Sequence, residues 1–213
     1  MKNNYILGLN FLHSDSSACL FKNSELIVAV EEERFSRVKH TMDFPYRSIE
    51  HCLNYEKINI SDVGVITLNS NPLSSILKKI FFLIKNPFSL KIALLSAKNA
   101  KNKLSLQKYI SKIGSKNKFK GKIFYADHHE SHIASSLYFS DFKDCVNLSI
   151  DGFGDFASSA WGFSKGKILK VEEKIDFPHS LGIFYQALTQ YLGFKNYGDE
   201  YKIMGLSPYG KPQ

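Results

Sequence analysis

Cysteine is scarce in this sequence, which contains only Cys19, Cys52 and Cys145. The three lie far apart and no Cys-x-x-Cys pair occurs, which argues against a disulfide-stapled scaffold and a paired-cysteine zinc site. Scattered single cysteines are typical of a reducing compartment. We therefore expect a cytoplasmic protein in which each thiol is a small, buried, apolar group.

Long apolar runs are missing as well. The N-terminal stretch is broken by Gly8 and Asn10, so it predicts a first strand and not a signal peptide. The apolar cluster at residues 80–84 is far shorter than the about 20 residues that cross a bilayer, so we expect no membrane span. The sequence also lacks a G-x-G-x-x-G fingerprint and a Walker-type lysine loop, which excludes two common phosphate-binding loops.

Acidic residues are absent between positions 73 and 122, where thirteen lysines occur. This segment accounts for the basic character of a chain whose net charge is +8. Its apolar residues recur at helical spacing, which predicts two basic amphipathic helices with a break near Asn86 and Pro87. The main interpretation is a solvated helical insertion over about 73–120, because runs of one charge usually coat a surface. Contact with nucleic acid or with a membrane surface is the alternative.

The apolar pattern elsewhere mixes hairpins with strand–helix units, which predicts an α/β fold. Two segments align without gaps, so that Phe11 falls on Phe153, residues 16–18 on 158–160, and Glu31 on Glu173. Each copy reads as strand, polar turn, strand, hairpin and strand, although short hairpins also align by chance. A duplicated unit of this kind favours an actin-like, ribonuclease H-like fold. We expect a first lobe over residues 1–144 and the start of an incomplete second lobe over 145–213.

The densest cluster of reactive side chains is Asp-His-His-Glu-Ser-His at residues 127–132. On a helix, His128 and His132 lie one turn apart on the same face. Two imidazoles at this spacing can hold one metal ion if carboxylates from elsewhere complete the site. The alternative is a pair of hydrogen-bonded, inert histidines at a helix start. His129 is left to bind substrate or to pack.

The loop Asp-Gly-Phe-Gly-Asp at residues 151–155 follows an apolar strand. Its glycines, Gly152 and Gly154, allow a sharp turn and a close backbone approach to a ligand such as a nucleotide. Asp151 and Asp155 are candidates for binding a metal directly or through water. A plain tight turn is the simpler alternative.

Three further segments offer candidate ligand-binding groups. His13 lies in a polar turn after the first strand, and Lys39 lies in a charged run over residues 31–40, where it can bind phosphate. Lys202 and Gly205 lie in a predicted loop over residues 200–210, which is able to cradle an adenine or a sugar. A solvated helix or loop is the main interpretation of most of the run over residues 31–40, and a structural turn explains residues 200–210 equally well.

Together these segments resemble the O-carbamoyltransferases of antibiotic and nodulation-factor biosynthesis. The matching motifs follow one another along nearly the whole chain. They occupy residues 6–10, 13–17, 31–40, 128–135, 151–155, 180–185 and 200–206. The lysine-rich segment contains no family motif.

The resemblance implies a two-part enzyme. A C-terminal synthase-like domain would make carbamoyl-adenylate from carbamoyl phosphate and ATP, and the actin-like part would transfer the carbamoyl group to a hydroxyl of a small acceptor. It implies a metal, iron, bound by His128, His132 and Asp151, with a further aspartate beyond residue 213. We therefore expect this chain alone to be unable to complete the reaction.

Two roles follow from that chemistry. An acceptor hydroxyl needs a base, for which His13 is the candidate. Lys39 is the candidate for stabilising negative charge on the phosphate or on the carbamoyl oxygen.

Three other functions remain open from the sequence. An actin-like kinase or ATPase explains the duplication but not the two histidines, since such proteins hold Mg²⁺ through carboxylates and phosphates. A relative of the tRNA threonylcarbamoyl transferase would use the thirteen lysines for RNA, although we expect no nucleic-acid partner. A non-catalytic nucleotide-binding module is the third.

Overall fold

The computed structural model describes residues 4–114 and 118–211. The chain divides into two compact units, Met1–Asp127 and His128–Gln213.

The first unit contains five strands. They are β1 (Tyr5–Asn10), β2 (Ser17–Lys22), β3 (Glu25–Glu31), β4 (Val63–Leu68) and β5 (Lys122–Tyr125). Its helices are α1 (Glu33–Ser36), α2 (Tyr46–Tyr55), α3 (Ile76–Lys85), α4 (Leu90–Leu104) and α5 (Leu106–Ile110). Short 3-10 turns occupy Ile60–Asp62 and Pro87–Ser89.

The five strands form one mixed sheet in the order β3-β2-β1-β4-β5. The pairs β1–β2 and β2–β3 are antiparallel, whereas β4 runs parallel to both β1 and β5. Alternate residues of β1 are buried, which follows from the period of two along a strand. Leu7, Leu20 and Ile66 are fully buried at the centre of the core.

Helix α2 is tied to the sheet by the carboxylate of Glu32, which lies just after β3 and is only 6% exposed. Pro45 precedes the helix and offers no side-chain cap. The carboxylate instead accepts hydrogen bonds from Ser48 N at 2.8 Å, Ser48 Oγ at 2.7 Å and Arg47 N at 3.2 Å. A negative charge is favourable there because the first N–H groups of a helix have no partner within it. The solvated run predicted for residues 31–40 therefore contains a buried structural glutamate.

The lysine-rich segment differs from the prediction in one respect. The break at Asn86–Pro87 is confirmed, but a third helix, α5, follows α4. Leu106 and Ile110 of α5 are buried in the core of the first unit, as is Phe119. Only the part up to α4 is an exposed excursion, because the apolar residues beyond it pack against the sheet.

The second unit contains helix α6 (His128–Tyr138) and the strands β6 (Asp144–Gly154), β7 (Ala157–Lys165) and β8 (Ile168–Asp176). Helices α7 (Leu181–Tyr191) and α8 (Glu200–Leu206) follow, with a 3-10 turn at Ser207–Tyr209. The strands form an antiparallel sheet in the order β6-β7-β8. Both α6 and α7 contact β6.

The two meanders confirm the duplication and the α/β, actin-like fold class. β1, β2 and β3 correspond in sequence to β6, β7 and β8, and each trio is antiparallel. The units divide after Asp127, which differs from the predicted boundary after residue 144. The reason is that α6 packs on β6, so the helix belongs to the same compact unit as that strand.

The loop prediction for residues 200–210 is wrong in its first half, because Glu200–Leu206 is helical. Asp199 precedes that helix, and its carboxylate accepts from Asn196 N and pairs with Lys202. Among the residues that the structure describes, no helix has the length and hydrophobicity needed to cross a membrane.

Candidate metal centre

Two imidazoles and one carboxylate converge at the start of α6. His128 Nε2 lies 2.8 Å from Asp151 Oδ2, and His132 Nε2 lies 3.0 Å from His128 Nε2. The third side of this triangle, from His132 Nε2 to Asp151 Oδ2, measures 3.6 Å. The helical spacing of the histidines and the bend of β6 at Asp151 produce this arrangement.

The β6 strand supplies Asp151 through an interruption of its ladder with β7. The pairing register shifts between Ile150 and Gly154, so the residues between them leave the regular ladder. Gly152 N donates to Asp151 Oδ1 at 2.7 Å, which fixes the carboxylate at this bend. A bulge of this kind is a common means of re-aiming a side chain beside a functional site.

Helix α6 is anchored to the same loop at its first two residues. Asp155 Oδ2 accepts from His128 N at 3.0 Å, so the carboxylate sits at the positive end of the helix. His129 is fully buried and its Nδ1 lies 2.9 Å from Ser149 Oγ. His129 therefore packs and positions the helix, which is one of the two roles left open by the sequence.

Glycine is required at position 154 by the ring of His128. A Cβ on Gly154 would overlap the imidazole, whereas a Cβ on Gly152 would meet only Ile183 Cδ1 at 3.8 Å. The two glycines of the loop thus differ in purpose. Gly154 lets the histidine lie against the backbone, whereas a side chain at position 152 would meet only an ordinary van der Waals contact.

The start of α7 holds the loop from its other side, which the sequence did not reveal. Ser180 Oγ donates to the carbonyls of Asp151 and Gly152 and accepts from Ile183 N. Gly182 packs so closely that a Cβ there would lie 2.6 Å from Asp151 O. The serine before an apolar helical run was the available signal, since it is a usual N-cap residue.

The electrostatics of the triangle favour a negative carboxylate. The hydrogen bond with His128, followed by the nearby imidazole of His132, holds the pKa of Asp151 well below its usual range, and the Gly152 N–H assists while burial opposes. One proton on His128 Nε2 can point at only one of its two neighbours. A cation among the three atoms would contact all of them, so the donor set suits a metal ion.

The triangle also has the dimensions of a coordination shell. Metal–nitrogen bonds of about 2.1 Å separate neighbouring ligands by roughly 3.0 Å in an octahedron and roughly 3.4 Å in a tetrahedron. The three observed separations, 2.8, 3.0 and 3.6 Å, bracket those values. The side chain of His128 is 4% exposed and that of His132 is 52% exposed, which leaves an entry path from solvent.

The remaining predicted residues are His13 and Lys39 of the first unit and Lys202 and Gly205 of the second. His13 is half-buried in the turn after β1, and Lys39 is exposed in a turn after α1. Lys202 and Gly205 lie on α8, where the Lys202 Nζ is 2.6 Å from Asp199 Oδ1 and a Cβ on Gly205 would meet open space. Their roles in binding or catalysis stay predictions.

The fold and this cluster define an actin-like α/β protein with an imidazole–carboxylate site in its second unit. Residues 5–213 match the family described as Carbamoyltransferase N-terminus. The chain belongs to this family, which confirms the resemblance found in its motifs.

Individual relatives agree with that assignment. An uncharacterized protein of Synechocystis, sll1178, is 37% identical over 98% of this chain and 35% of its own length. Nodulation protein NolNO of Sinorhizobium fredii is 34% identical over 99% of this chain and 30% of its own length. The chain therefore spans about a third of the curated relatives that it matches.

YeaZ from Pseudomonas aeruginosa overlaps with 82% of this chain and 68% of its own, with a TM-score of 0.47 and 9% identity.

Proposed function

We propose that this chain forms the N-terminal part of a metal-dependent O-carbamoyltransferase. The reaction is transfer of a carbamoyl group from carbamoyl-adenylate to a hydroxyl of a small acceptor. The observation that carries the proposal is the triangle of His128, His132 and Asp151 in a member of this family. The acceptor itself is defined here only by its hydroxyl group.

The proposed metal is a divalent transition ion, with Fe²⁺ as the first candidate. Two imidazoles and one carboxylate with open positions are a ligand set typical of non-haem Fe²⁺. When bound, such an ion supplies Lewis acidity towards the phosphate or carbamoyl oxygen of the donor. His128 and Asp151 hold their positions through Gly154, Asp155 and the start of α7, so these ligands are oriented before any ion binds.

The proposed reaction forms one bond and breaks one bond at the carbamoyl carbon. A bond forms between the acceptor oxygen and the carbamoyl carbon, and the bond from that carbon to the phosphate oxygen of AMP breaks. The acceptor proton passes to a base, for which we propose His13, and AMP leaves with the bonding electron pair. Lys39 is proposed to stabilise the negative charge of the phosphate or the carbamoyl oxygen.

The proposed nucleotide contacts are Gly152, Gly154, Asp155, Lys202 and Gly205. A Cβ on Gly205 would meet open space and one on Gly152 would meet only Ile183 Cδ1, so both glycines are compatible with a close ligand. Lys202 would have to share its ammonium group between Asp199 and a phosphate, because the two side chains pair at 2.6 Å.

The donor requires a second activity. Carbamoyl-adenylate has to be made from carbamoyl phosphate and ATP, which we assign to a synthase-like domain that is C-terminal or separately encoded. The greater length of the relatives is consistent with such a domain.

The decisive experiment measures metal content. The chain would be supplied with Fe²⁺ anaerobically, desalted and analysed by elemental analysis, in parallel with the variant His128→Ala/His132→Ala. His179→Ala is the matched control, because this histidine is exposed in the same unit. Near-stoichiometric iron in the parent and control, and loss in the double variant, would support the proposal.

Two results would contradict the metal site. One is a parent chain that takes up no transition metal under these conditions, and the other is a double variant that retains it. A metal-loaded chain that transfers no carbamoyl group from supplied carbamoyl-adenylate, with its partner domain present, would contradict the reaction while leaving the metal site intact.

A further inference from the structure

The α3 helix presents an apolar stripe to solvent. Leu77, Ile80, Phe81 and Ile84 recur at intervals of three and four residues, so they share one face. All four are largely exposed, with Leu77 at 82% and Ile84 at 73%. Four exposed apolar side chains on one helix face form a patch of the kind that contacts an apolar partner.

Lysines border this stripe. Lys78 and Lys85 lie seven residues apart on its flank, and Lys85 Nζ lies 4.4 Å from the ring centroid of Phe81. Long basic side chains beside an apolar face can keep their charges at a polar boundary while the stripe enters an apolar phase.

The next helix repeats the pattern. Leu90, Leu94 and Leu95 of α4 are each about 60% exposed, and Lys91, Lys98 and Lys101 are exposed beside them. Phe88, in the turn between the helices, is fully exposed. The two helices contact one another.

We propose that the α3–α4 hairpin binds the surface of an anionic phospholipid bilayer. The exposed apolar residues would enter the boundary between headgroups and acyl chains, to a depth of about 5–10 Å. The partner is defined by charge complementarity, since residues 76–104 contain seven lysines and no acidic residue. The lysines would lie against the negative headgroups.

Two other occupants fit this surface less well. Nucleic acid offers phosphates to the lysines but no apolar surface for Leu77 and Ile84. A second copy of the chain would bring lysines against lysines, and like charges oppose such a contact. A bilayer with anionic headgroups satisfies both parts of the pattern.

The test is flotation with vesicles of phosphatidylcholine, with and without phosphatidylglycerol. We expect binding only to the vesicles that contain phosphatidylglycerol, and weaker binding as salt is added. Leu77→Ser/Ile84→Ser should weaken binding by about tenfold or more, because two apolar side chains leave the boundary. Ile168→Ser/Val146→Ser is the matched control, since those residues are 77% and 65% exposed in the second unit and their loss should change nothing.

The charges are tested separately. Lys78→Gln/Lys85→Gln should weaken binding by about fivefold for each lysine lost. Lys165→Gln/Lys167→Gln removes two exposed lysines of the second unit and should leave binding unchanged. Circular dichroism and melting temperature of every variant would show that the fold is retained.

Three outcomes would overturn the proposal. The first is absence of binding to both kinds of vesicle. The second is equal binding by the parent and Leu77→Ser/Ile84→Ser. The third is a salt-dependent complex with tRNA or duplex DNA, or self-association, that is lost in these variants while vesicles are not bound.

Discussion

Replacing Gly154 by alanine would place a methyl group in the space occupied by the His128 imidazole. Real Cβ contacts are essentially never shorter than 3.0 Å, so the ring or the backbone has to move by about 1 Å. The ring cannot simply rotate away without leaving Asp151, whose Oδ2 is 2.8 Å from His128 Nε2. The substitution therefore separates two of the proposed ligands without removing either.

The expected loss follows from the precision that metal sites need. Ligand distances have to stay within about 0.2 Å of their preferred values. Misplacing a ligand through its supporting contacts usually lowers metal affinity by about 10–100-fold. The free energy of unfolding should also fall by about 1–3 kcal/mol, because a well-packed site is overfilled. Calorimetric titration of the metal-free chain with Zn²⁺, a redox-inert substitute for Fe²⁺, gives the affinity.

Gly152→Ala is the matched control in the same loop. Its new Cβ would meet Ile183 Cδ1 at 3.8 Å, an ordinary van der Waals separation. We expect this variant to bind Zn²⁺ as the parent does. Unchanged affinity in Gly154→Ala, or an equal loss in both variants, would refute the steric reasoning.

Two further predictions concern the first unit. Glu32→Ala should lower the free energy of unfolding in urea by about 2–4 kcal/mol, because three hydrogen bonds to a buried carboxylate are lost at the start of α2. Glu50→Ala, at an exposed position of the same helix, should change stability little, and an equal loss in both would contradict the capping role. Burial, aided by the neighbouring Cys19, raises the pKa of the Cys52 thiol to about 12. Only about 1 in 100,000 of these thiols is then ionised at pH 7, against a few in 100 for an ordinary cysteine, and the reactive fraction grows only as the pH approaches 12. Iodoacetamide should therefore spare Cys52 in the native chain and label it in guanidinium, as peptide mass spectrometry would reveal. Native labelling of Cys52 at the denatured rate would be incompatible with this environment.

Much of the fold was accessible from the sequence because local patterns decide it. Helix α2 and strand β4 can be read from local pattern, since Ile49 and Leu53 are one turn apart in the helix and the strand is strongly apolar. The duplication was visible because both copies have kept small residues in corresponding strands. The convergence of His128 and His132 follows from helical geometry alone.

Other features depend on tertiary contacts that a sequence pattern does not specify. Glu32 resembles its charged neighbours, and only its position beside the start of α2 makes it a buried cap. Leu106 and Ile110 lie in the lysine-rich segment, yet they fill the core beneath the sheet. The sequence also does not show that only Gly154 must lack a side chain, because this depends on where the His128 ring lies. Gly205 lowers helix propensity, which is why residues 200–206 were expected to be a loop.

The two edges of the β6-β7-β8 sheet differ in a way that bears on how the protein behaves at high concentration. Strand β8 has charged side chains at positions 170 and 172–174, which discourage another chain from adding to its edge. Strand β6 has no charged side chain between Cys145 and Ile150, and Val146, Leu148 and Ile150 are exposed along it. Within the described residues, only β7 pairs with β6, whereas its counterpart β1 has a strand on both sides. Concentrated preparations of the chain should therefore aggregate mainly through the edge of β6. Leu148→Lys should reduce this aggregation, because it places a charge on that edge.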